Sequence, residues 1–380
     1  MKEELYHFIN QLKLTVRLLQ AEQKYSMATY LQGQIAVLDR IGRGASYILC
    51  TYYFPSEAAS LFDMNFIYIE RIVGLAISLN MLKSDGQTPL PYDICSYQKA
   101  FVQILERRLL PIPEAVIAVK YPCRDGVTLC EYIHDAYQVP IFYIDIQNLE
   151  QDLRTIYFYL KDHYGIKNEI SAVVEKSNTA NKIKNEIDSY RICYPGILPS
   201  GDFLKLFPFE NDFGSDTAIE VLKELLNTLK KNIKGYAFQP KWKIFWMGLI
   251  PLYNNNMLSK AEARFSCKFV YEEMWMFGSA ALSEETFFKD LARKIQTSFF
   301  YDVNKRIKRI AEMVEKMGIR IVINFSQKNC SFLPPSIPIF KDYFMKKSVG
   351  FYNLGCDVVS GHFHTEQLFS VIEKAIAGGC

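Results

Sequence analysis

The residues in this chain with the strongest potential for chemistry are its cysteines, of which there are nine. Two of them follow runs of apolar β-formers: Cys123 comes after residues 115–120, and Cys330 comes after residues 319–325. A third, Cys95, lies in a loop just before a predicted helix. Open parallel sheets bind ligands beyond the carboxyl ends of their strands. If two such sheets face each other, these three thiols can converge between them.

Converging thiolates bind zinc, an iron–sulfur cluster or nothing. Structural zinc sites use tight pairs such as C-x₂₋₄-C, and a fully ligated [4Fe–4S] cluster often uses a compact run of four cysteines. Neither spacing occurs here. Three cysteines from separate loops instead suit a [4Fe–4S] cluster with one iron open to a small ligand. On spacing alone, unrelated packed thiols are the simpler interpretation, because free cysteine is frequently buried.

The cysteines as a whole do not indicate a disulfide scaffold. Their number is odd, their spacing forms no compact framework, and the N-terminal residues show no secretory signal. We therefore expect the reducing environment of the cytoplasm. The remaining thiols are expected to fill the core or to lie in loops and the tail: Cys50, Cys130, Cys193 and Cys267 in the core, Cys356 and Cys380 outside it.

Length and composition limit the classes of protein that this chain can represent. A chain of 380 residues suits two domains, and 49% hydrophobic with 22% charged residues is an ordinary globular balance. The net charge of +3 is spread among acidic residues, so we expect no nucleic-acid partner. No apolar run approaches the length of a membrane span, and we expect no membrane association.

Two short motifs resemble functional ones but lack their full patterns. Gly42-Arg-Gly44 has neither the complete GxGxxG nor a Gly-Lys-Ser/Thr ending, so this chain is not expected to hydrolyse ATP itself. His362-x-His364 could bind a metal, but a capping or surface role is the simpler interpretation.

Strand-like runs alternate with helical patterns in two parts of the chain, which predicts two α/β domains with parallel sheets. The first domain is predicted over residues 45–147 and the second over residues 236–380. A helical segment, residues 1–44, precedes them, and a charged helical segment, residues 148–235, connects them.

Several motifs follow one another in order from about residue 45 to the end. They are "YFPSEAA" with Glu57, "ICS" with Cys95, "PCRDG" with Cys123, the helix and strand "YIHDAYQVPIFYIDIQ", the loop "LPSGD", the strand "KIFWMGLIP", "IVINFSQKNCSF" with Cys330, and the helix "TEQLFSVIEKAI". This ordered set resembles the iron–sulfur subunits of the 2-hydroxyacyl-CoA dehydratase and benzoyl-CoA reductase family.

The resemblance implies two Rossmann-like (flavodoxin-like) domains with a [4Fe–4S] cluster between them, ligated by Cys95, Cys123 and Cys330. The family's early acid corresponds to Glu57, which we expect to point toward the cleft and to act near the open iron. We also expect Pro122 to end its strand and Gly126 to permit the turn that presents Cys123. The sequence departs from the family pattern at residues 60–66, "SLFDMNF", and at Arg124.

The implied activity is that of an anaerobic lyase. The open iron would bind the thioester carbonyl of a 2-hydroxyacyl-CoA, and one electron would generate a ketyl radical that loses the hydroxyl to give an enoyl-CoA. The family pairs two related subunits and receives its electron from an ATP-dependent iron–sulfur activator. The alternatives are a benzoyl-CoA reductase-like or double-cubane reductase subunit, and a non-catalytic partner subunit.

Overall fold

The structure is a computed structural model that describes residues 2–82, 88–206, 209–237, 240–249, 253, 256–277, 280–297, 302–359 and 365–378. It is an α/β structure with two four-stranded sheets, each entirely parallel. The predicted fold class is therefore confirmed. None of the helices in these residues is long and apolar enough to cross a membrane.

Sheet 1 has the strand order β2-β1-β3-β4, and sheet 2 has the order β6-β5-β7-β8. The strands of sheet 1 lie between residues 47 and 144, and those of sheet 2 between residues 242 and 356. The domain boundaries given above stay a prediction. The strands are β1 (Tyr47–Cys50), β2 (Asn65–Tyr68), β3 (Ala115–Val119), β4 (Ile141–Ile144), β5 (Trp242–Gly248), β6 (Cys267–Glu272), β7 (Ile321–Gln327) and β8 (Gly350–Cys356).

Helices cover both sheets and fill the segment between them. Two 3₁₀ turns, Phe209–Asp212 and Glu273–Trp275, accompany them. The α-helices are α1 (Lys2–Ala21), α2 (Tyr25–Gly42), α3 (Ser56–Ala59), α4 (Ile69–Ser78), α5 (Ser96–Glu106), α6 (Arg124–Tyr137), α7 (Leu149–Tyr164), α8 (Ile170–Cys193), α9 (Ser200–Lys205), α10 (Asp216–Ile233), α11 (Met257–Phe265), α12 (Phe287–Gln296), α13 (Val303–Lys316), α14 (Leu333–Lys346) and α15 (Thr365–Ala377).

The central strands of sheet 1, β1 and β3, contain no charged or amide side chain because helices cover both of their faces. All five residues of β3 are buried, and successive residues belong to different core clusters. Val116 and Ala118 pack on one side of sheet 1, while Ala115, Ile117 and Val119 pack on the other. This double burial fixes the register of β3, since a shift by one residue would exchange the two sets.

Gly248 marks the end of β5. Its φ is +79°, and a Cβ atom there would lie 2.3 Å from the carbonyl oxygen of Phe325. Its backbone N–H donates to the carboxylate of Glu273 at 2.8 Å. Only glycine allows this close approach to β7 in a left-handed conformation.

Two buried ion pairs attach helices to the end of β6. Arg191 of α8 contacts Glu272 at 2.6 and 2.8 Å, and Arg306 of α13 contacts Glu273 at 2.5 and 2.9 Å. All four side chains are almost completely inaccessible to solvent. Each carboxylate is matched by a guanidinium in bidentate geometry, which compensates for the loss of hydration.

We expect the Arg191→Met variant to be strongly destabilised, because it leaves the Glu272 carboxylate buried without its cation. Removing one partner of a buried pair costs about 3–5 kcal/mol, which thermal or urea unfolding can measure. Arg154→Met is the matched control, since Arg154 pairs with Glu150 at 2.8 Å while both side chains are about two-fifths exposed. This exposed pair should contribute about 0.5 kcal/mol at most. Equal losses in the two variants would contradict the prediction.

Candidate functional site

Three cysteines from different parts of the chain line one pocket. Cys95, Cys123 and Cys330 all contact a cavity of about 100 Å³, which lies at the carboxyl ends of strands from both sheets. Cys123 follows β3 of sheet 1, and Cys330 follows β7 of sheet 2. The structure therefore brings together the three thiols that the sequence singles out, while their function as ligands stays a prediction.

Each of these cysteines lies at or just before the beginning of a helix. Cys95 is the N-cap residue of α5, Cys123 is the N-cap residue of α6, and Cys330 lies three residues before α14. The Cys123 Sγ accepts a hydrogen bond from Gly126 N–H, and the Cys330 Sγ accepts one from Leu333 N–H, both at 3.4 Å. Free N–H groups and the helix dipole favour negative charge at all three positions.

Gly126 has a different function from the one predicted. It lies inside α6, which already begins at Arg124, and it does not form a turn. A Cβ atom at this position would lie 3.1 Å from the Thr51 side chain and 3.5 Å from the Cys123 Sγ. Glycine is therefore needed here for close packing of α6 beside Thr51 at the end of β1. The N–H of the same residue donates a hydrogen bond to the Cys123 sulfur.

Glu70 is an acidic residue of this pocket that the sequence interpretation missed. It lies in the first turn of α4, directly after β2, and its Oε2 atom is buried without a hydrogen-bond partner. Burial raises the pKa of Glu70 to about 7, although hydrogen bonds from its own N–H and that of Tyr52 act in the opposite direction. An acid at the carboxyl end of another parallel strand was the signal that could have identified it.

The sequence of this chain matches one known family over most of its length. The matching family model is described as 2-hydroxyglutaryl-CoA dehydratase, D-component, and it covers residues 51–374. The chain belongs to this dehydratase family. The resemblance seen in the sequence motifs is thereby confirmed. No curated protein matches the chain.

In this dehydratase-family chain, Glu57 does not line the cysteine pocket. Its two carboxylate oxygens each accept a hydrogen bond from Lys294 Nζ at 2.9 Å, and Oε1 also accepts one from Ser177. The helix α3 that carries it is one turn long, and Ser56 Oγ anchors its first residue to the carbonyl oxygens of Glu210 and Phe213. This anchoring directs Glu57 toward α8 and α12, so the expectation that it points into the cleft is not met.

Burial raises the pKa of all three pocket thiols. The charges of Cys123 and Cys330 raise the pKa of Cys95 further, and the charges of Glu70 and Cys330 raise that of Cys123. The N–H groups of Gly126, Phe332 and Leu333 act in the opposite direction. Without a cation the thiols are therefore protonated at neutral pH. A bound metal would reverse this, since coordination deprotonates thiols.

The pocket lining contains the ligand type that a [4Fe–4S] cluster uses, and the presence of a cluster stays a prediction. Within the described ranges, no group of three or more His, Cys, Asp or Glu side chains is arranged to hold one metal ion. A cluster spreads its ligand sulfurs over several irons and is tuned by N–H···S hydrogen bonds and by burial. The pocket provides three thiols, and the sulfurs of Cys123 and Cys330 each accept a hydrogen bond from a backbone N–H.

The other cysteines whose side chains are described, Cys50, Cys130, Cys193 and Cys267, do not line the pocket. Cys50, Cys130 and Cys267 are buried, as predicted, whereas Cys193 is exposed. The prediction for Cys193 was wrong because this residue ends α8, where the helix emerges at the surface. His362, His364, Cys380 and the side chain of Cys356 lie outside the part of the chain that is described.

Proposed function

We propose that this chain is an iron–sulfur subunit of a 2-hydroxyacyl-CoA dehydratase-type enzyme. The observation that carries the proposal is the pocket itself. Three cysteines from both sheets surround a cavity that also contains a buried carboxyl group with an unpartnered oxygen, Glu70. This combination provides ligands for a cluster with one open iron and an acid–base group beside it.

Cys95, Cys123 and Cys330, which line the pocket, would hold the cluster. When bound, the cluster would supply the open coordination position and the single electron with which the thioester carbonyl is reduced to a ketyl. The substrate class follows from the dehydratase family name and is a 2-hydroxyacyl-CoA.

Glu70 is placed to move a proton. With a pKa of about 7, its carboxyl group is partly protonated at neutral pH and can donate to a leaving hydroxyl or accept a proton from carbon. The Tyr52 N–H and the Glu70 N–H hold the carboxyl group in position, so that Oε2 is the atom available in the pocket. Leu249, Phe332 and Leu333 form apolar walls that exclude water from this proton transfer.

The family designation as one component implies a related partner subunit. We propose that the two subunits assemble with each other and that a separate ATP-dependent activator supplies the electron. The assembled enzyme therefore needs three chains: this one, its partner and the activator.

The test is anaerobic purification followed by assay of the complete system. The chain should carry about four irons and an equivalent amount of sulfide. With the partner subunit, activator and ATP, it should convert a 2-hydroxyacyl-CoA from a panel of thioesters to the enoyl-CoA, detected by chromatography. Omitting the activator should abolish turnover. A protein that contains no iron under these conditions, or that catalyses dehydration after its iron is removed, would contradict the proposal.

A further inference from the structure

A hydrogen-bonded chain of side chains connects the two sheets beside the cysteine pocket. The Gln327 Nε2 donates to Ser96 Oγ at 2.9 Å, and the Ser96 hydroxyl donates to Asp357 Oδ1 at 2.8 Å. Ser96 begins α5 on the side of sheet 1, whereas Gln327 ends β7 and Asp357 follows β8 in sheet 2. We call these three residues the Ser96 bridge.

Backbone groups fix the direction of every hydrogen bond in the Ser96 bridge. Val358 N–H donates to Gln327 Oε1 at 2.7 Å, which leaves the Gln327 amide nitrogen as the donor toward Ser96. Val359 N–H donates to the same Asp357 oxygen that accepts the Ser96 hydroxyl, at 2.7 Å. Gln327 is 1% exposed, so its two hydrogen bonds form in a site from which water is largely excluded. A buried chain with fixed polarity holds its members in one arrangement.

Two residues of the Ser96 bridge lie close in sequence to two of the three pocket cysteines. Ser96 directly follows Cys95, and Gln327 precedes Cys330 by three residues. The Cys330 N–H also donates to the Gln327 carbonyl oxygen at 3.4 Å, and Gln327 itself lines the pocket. A displacement of the bridge would therefore change the separation of Cys95 and Cys330, which approach the pocket from opposite sheets.

We propose that Ser96, Gln327 and Asp357 are positioning residues that set the spacing of Cys95 and Cys330 around the cluster. This inference rests on the proposed function. None of the three bridge residues supplies a thiolate ligand; the bridge acts by holding the backbone near one ligand from each sheet. Residues that orient metal ligands typically change metal affinity by about 10–100-fold when they are replaced.

The test is the rate at which a chelator removes iron from the anaerobically purified chain. In Ser96→Ala and in Gln327→Leu, iron release should be about 10–100-fold faster than in the wild type, and the electron paramagnetic resonance spectrum of the reduced cluster should shift. Ser96→Thr keeps the hydroxyl group and should restore both the release rate and the spectrum. This rescue separates positioning from a general loss of stability.

Ser46→Ala is the matched control, because the Ser46 hydroxyl also donates to a carboxylate, that of Glu114 at 2.9 Å, but far from the pocket at the other end of β1. It should release iron at the wild-type rate. If Ser96→Ala and Gln327→Leu both release iron at the wild-type rate with wild-type spectra, the positioning function is overturned while the proposed function stands. The same follows if Ser46→Ala releases iron as fast as Ser96→Ala. A wild-type chain that binds no iron would overturn the proposed function and this inference with it.

Discussion

Loss of most of the bound iron is the expected result of replacing Cys123 by alanine. The sulfur of Cys123 lines the pocket at the start of α6, and no other cysteine sulfur among the described residues contacts the cavity besides those of Cys95 and Cys330. A cluster held by two remaining thiolates has lost a full ligand. Anaerobically purified Cys123→Ala should therefore contain less than about one iron per chain, compared with about four in the wild type. Cys95→Ala and Cys330→Ala should behave in the same way.

Cys130→Ala provides the matched control for this experiment. Cys130 lies on the same helix and is fully buried, but it packs in the core and does not line the cavity. Its replacement should lower stability slightly and leave the iron content unchanged. Full iron content in Cys123→Ala, or equal iron loss in Cys130→Ala, would show that the pocket is not a cluster site.

A large loss of turnover with an intact cluster is the expected result of Glu70→Gln. Glutamine keeps the size of the side chain and can still accept the N–H of Tyr52, but it cannot exchange a proton. General acid–base groups contribute about 10²–10⁴-fold to the rate, so the turnover number should fall by that factor while iron per chain stays at the wild-type value. The measurements are the steady-state rate of enoyl-CoA formation and the iron content of the same preparation.

The Glu57→Gln variant tests which of two acids transfers the proton: Glu57, predicted from the sequence, or Glu70, found in the pocket. The Glu57 carboxylate neutralises the ammonium of Lys294, whose side chain is 12% exposed, so the variant should lose stability. We expect its rate per folded molecule to remain near that of the wild type. The reverse outcome, an inactive Glu57→Gln of normal stability beside an active Glu70→Gln, would assign the acid–base function to Glu57.

The sequence by itself determined the α/β class and the location of the three cysteines relative to the strands. A strand with both faces covered can be recognised from a few consecutive residues, because it is apolar at every position, as residues 115–119 are. Parallel strands also share one carboxyl edge. Cys123 and Cys330 could therefore be placed at the edges of two sheets from the positions of these runs alone.

Element lengths were less accurate because tertiary contacts set them. In the strand-like run of residues 47–54 the strand covers only Tyr47–Cys50, because the Thr51 carbonyl oxygen accepts the Phe54 N–H in a turn and the Val119 N–H donates to the Thr51 hydroxyl oxygen instead. The helix that begins at Ser56 lasts one turn. Prolines stand at the start of α14, where they are compatible with a helix because the first N–H groups have no partner within it.

Only the tertiary structure decided which acid reaches the pocket. Both Glu57 and Glu70 lie near the carboxyl ends of strands in sheet 1, so local sequence treats them alike. Ser56 binds carbonyl oxygens more than 150 positions away, and Lys294 comes from a helix 237 positions away from Glu57. These long-range contacts direct Glu57 away from the cysteines and leave Glu70 among them. The direction of a charged side chain in a loop depends on which distant groups can pair with that charge, and local sequence patterns do not identify those groups.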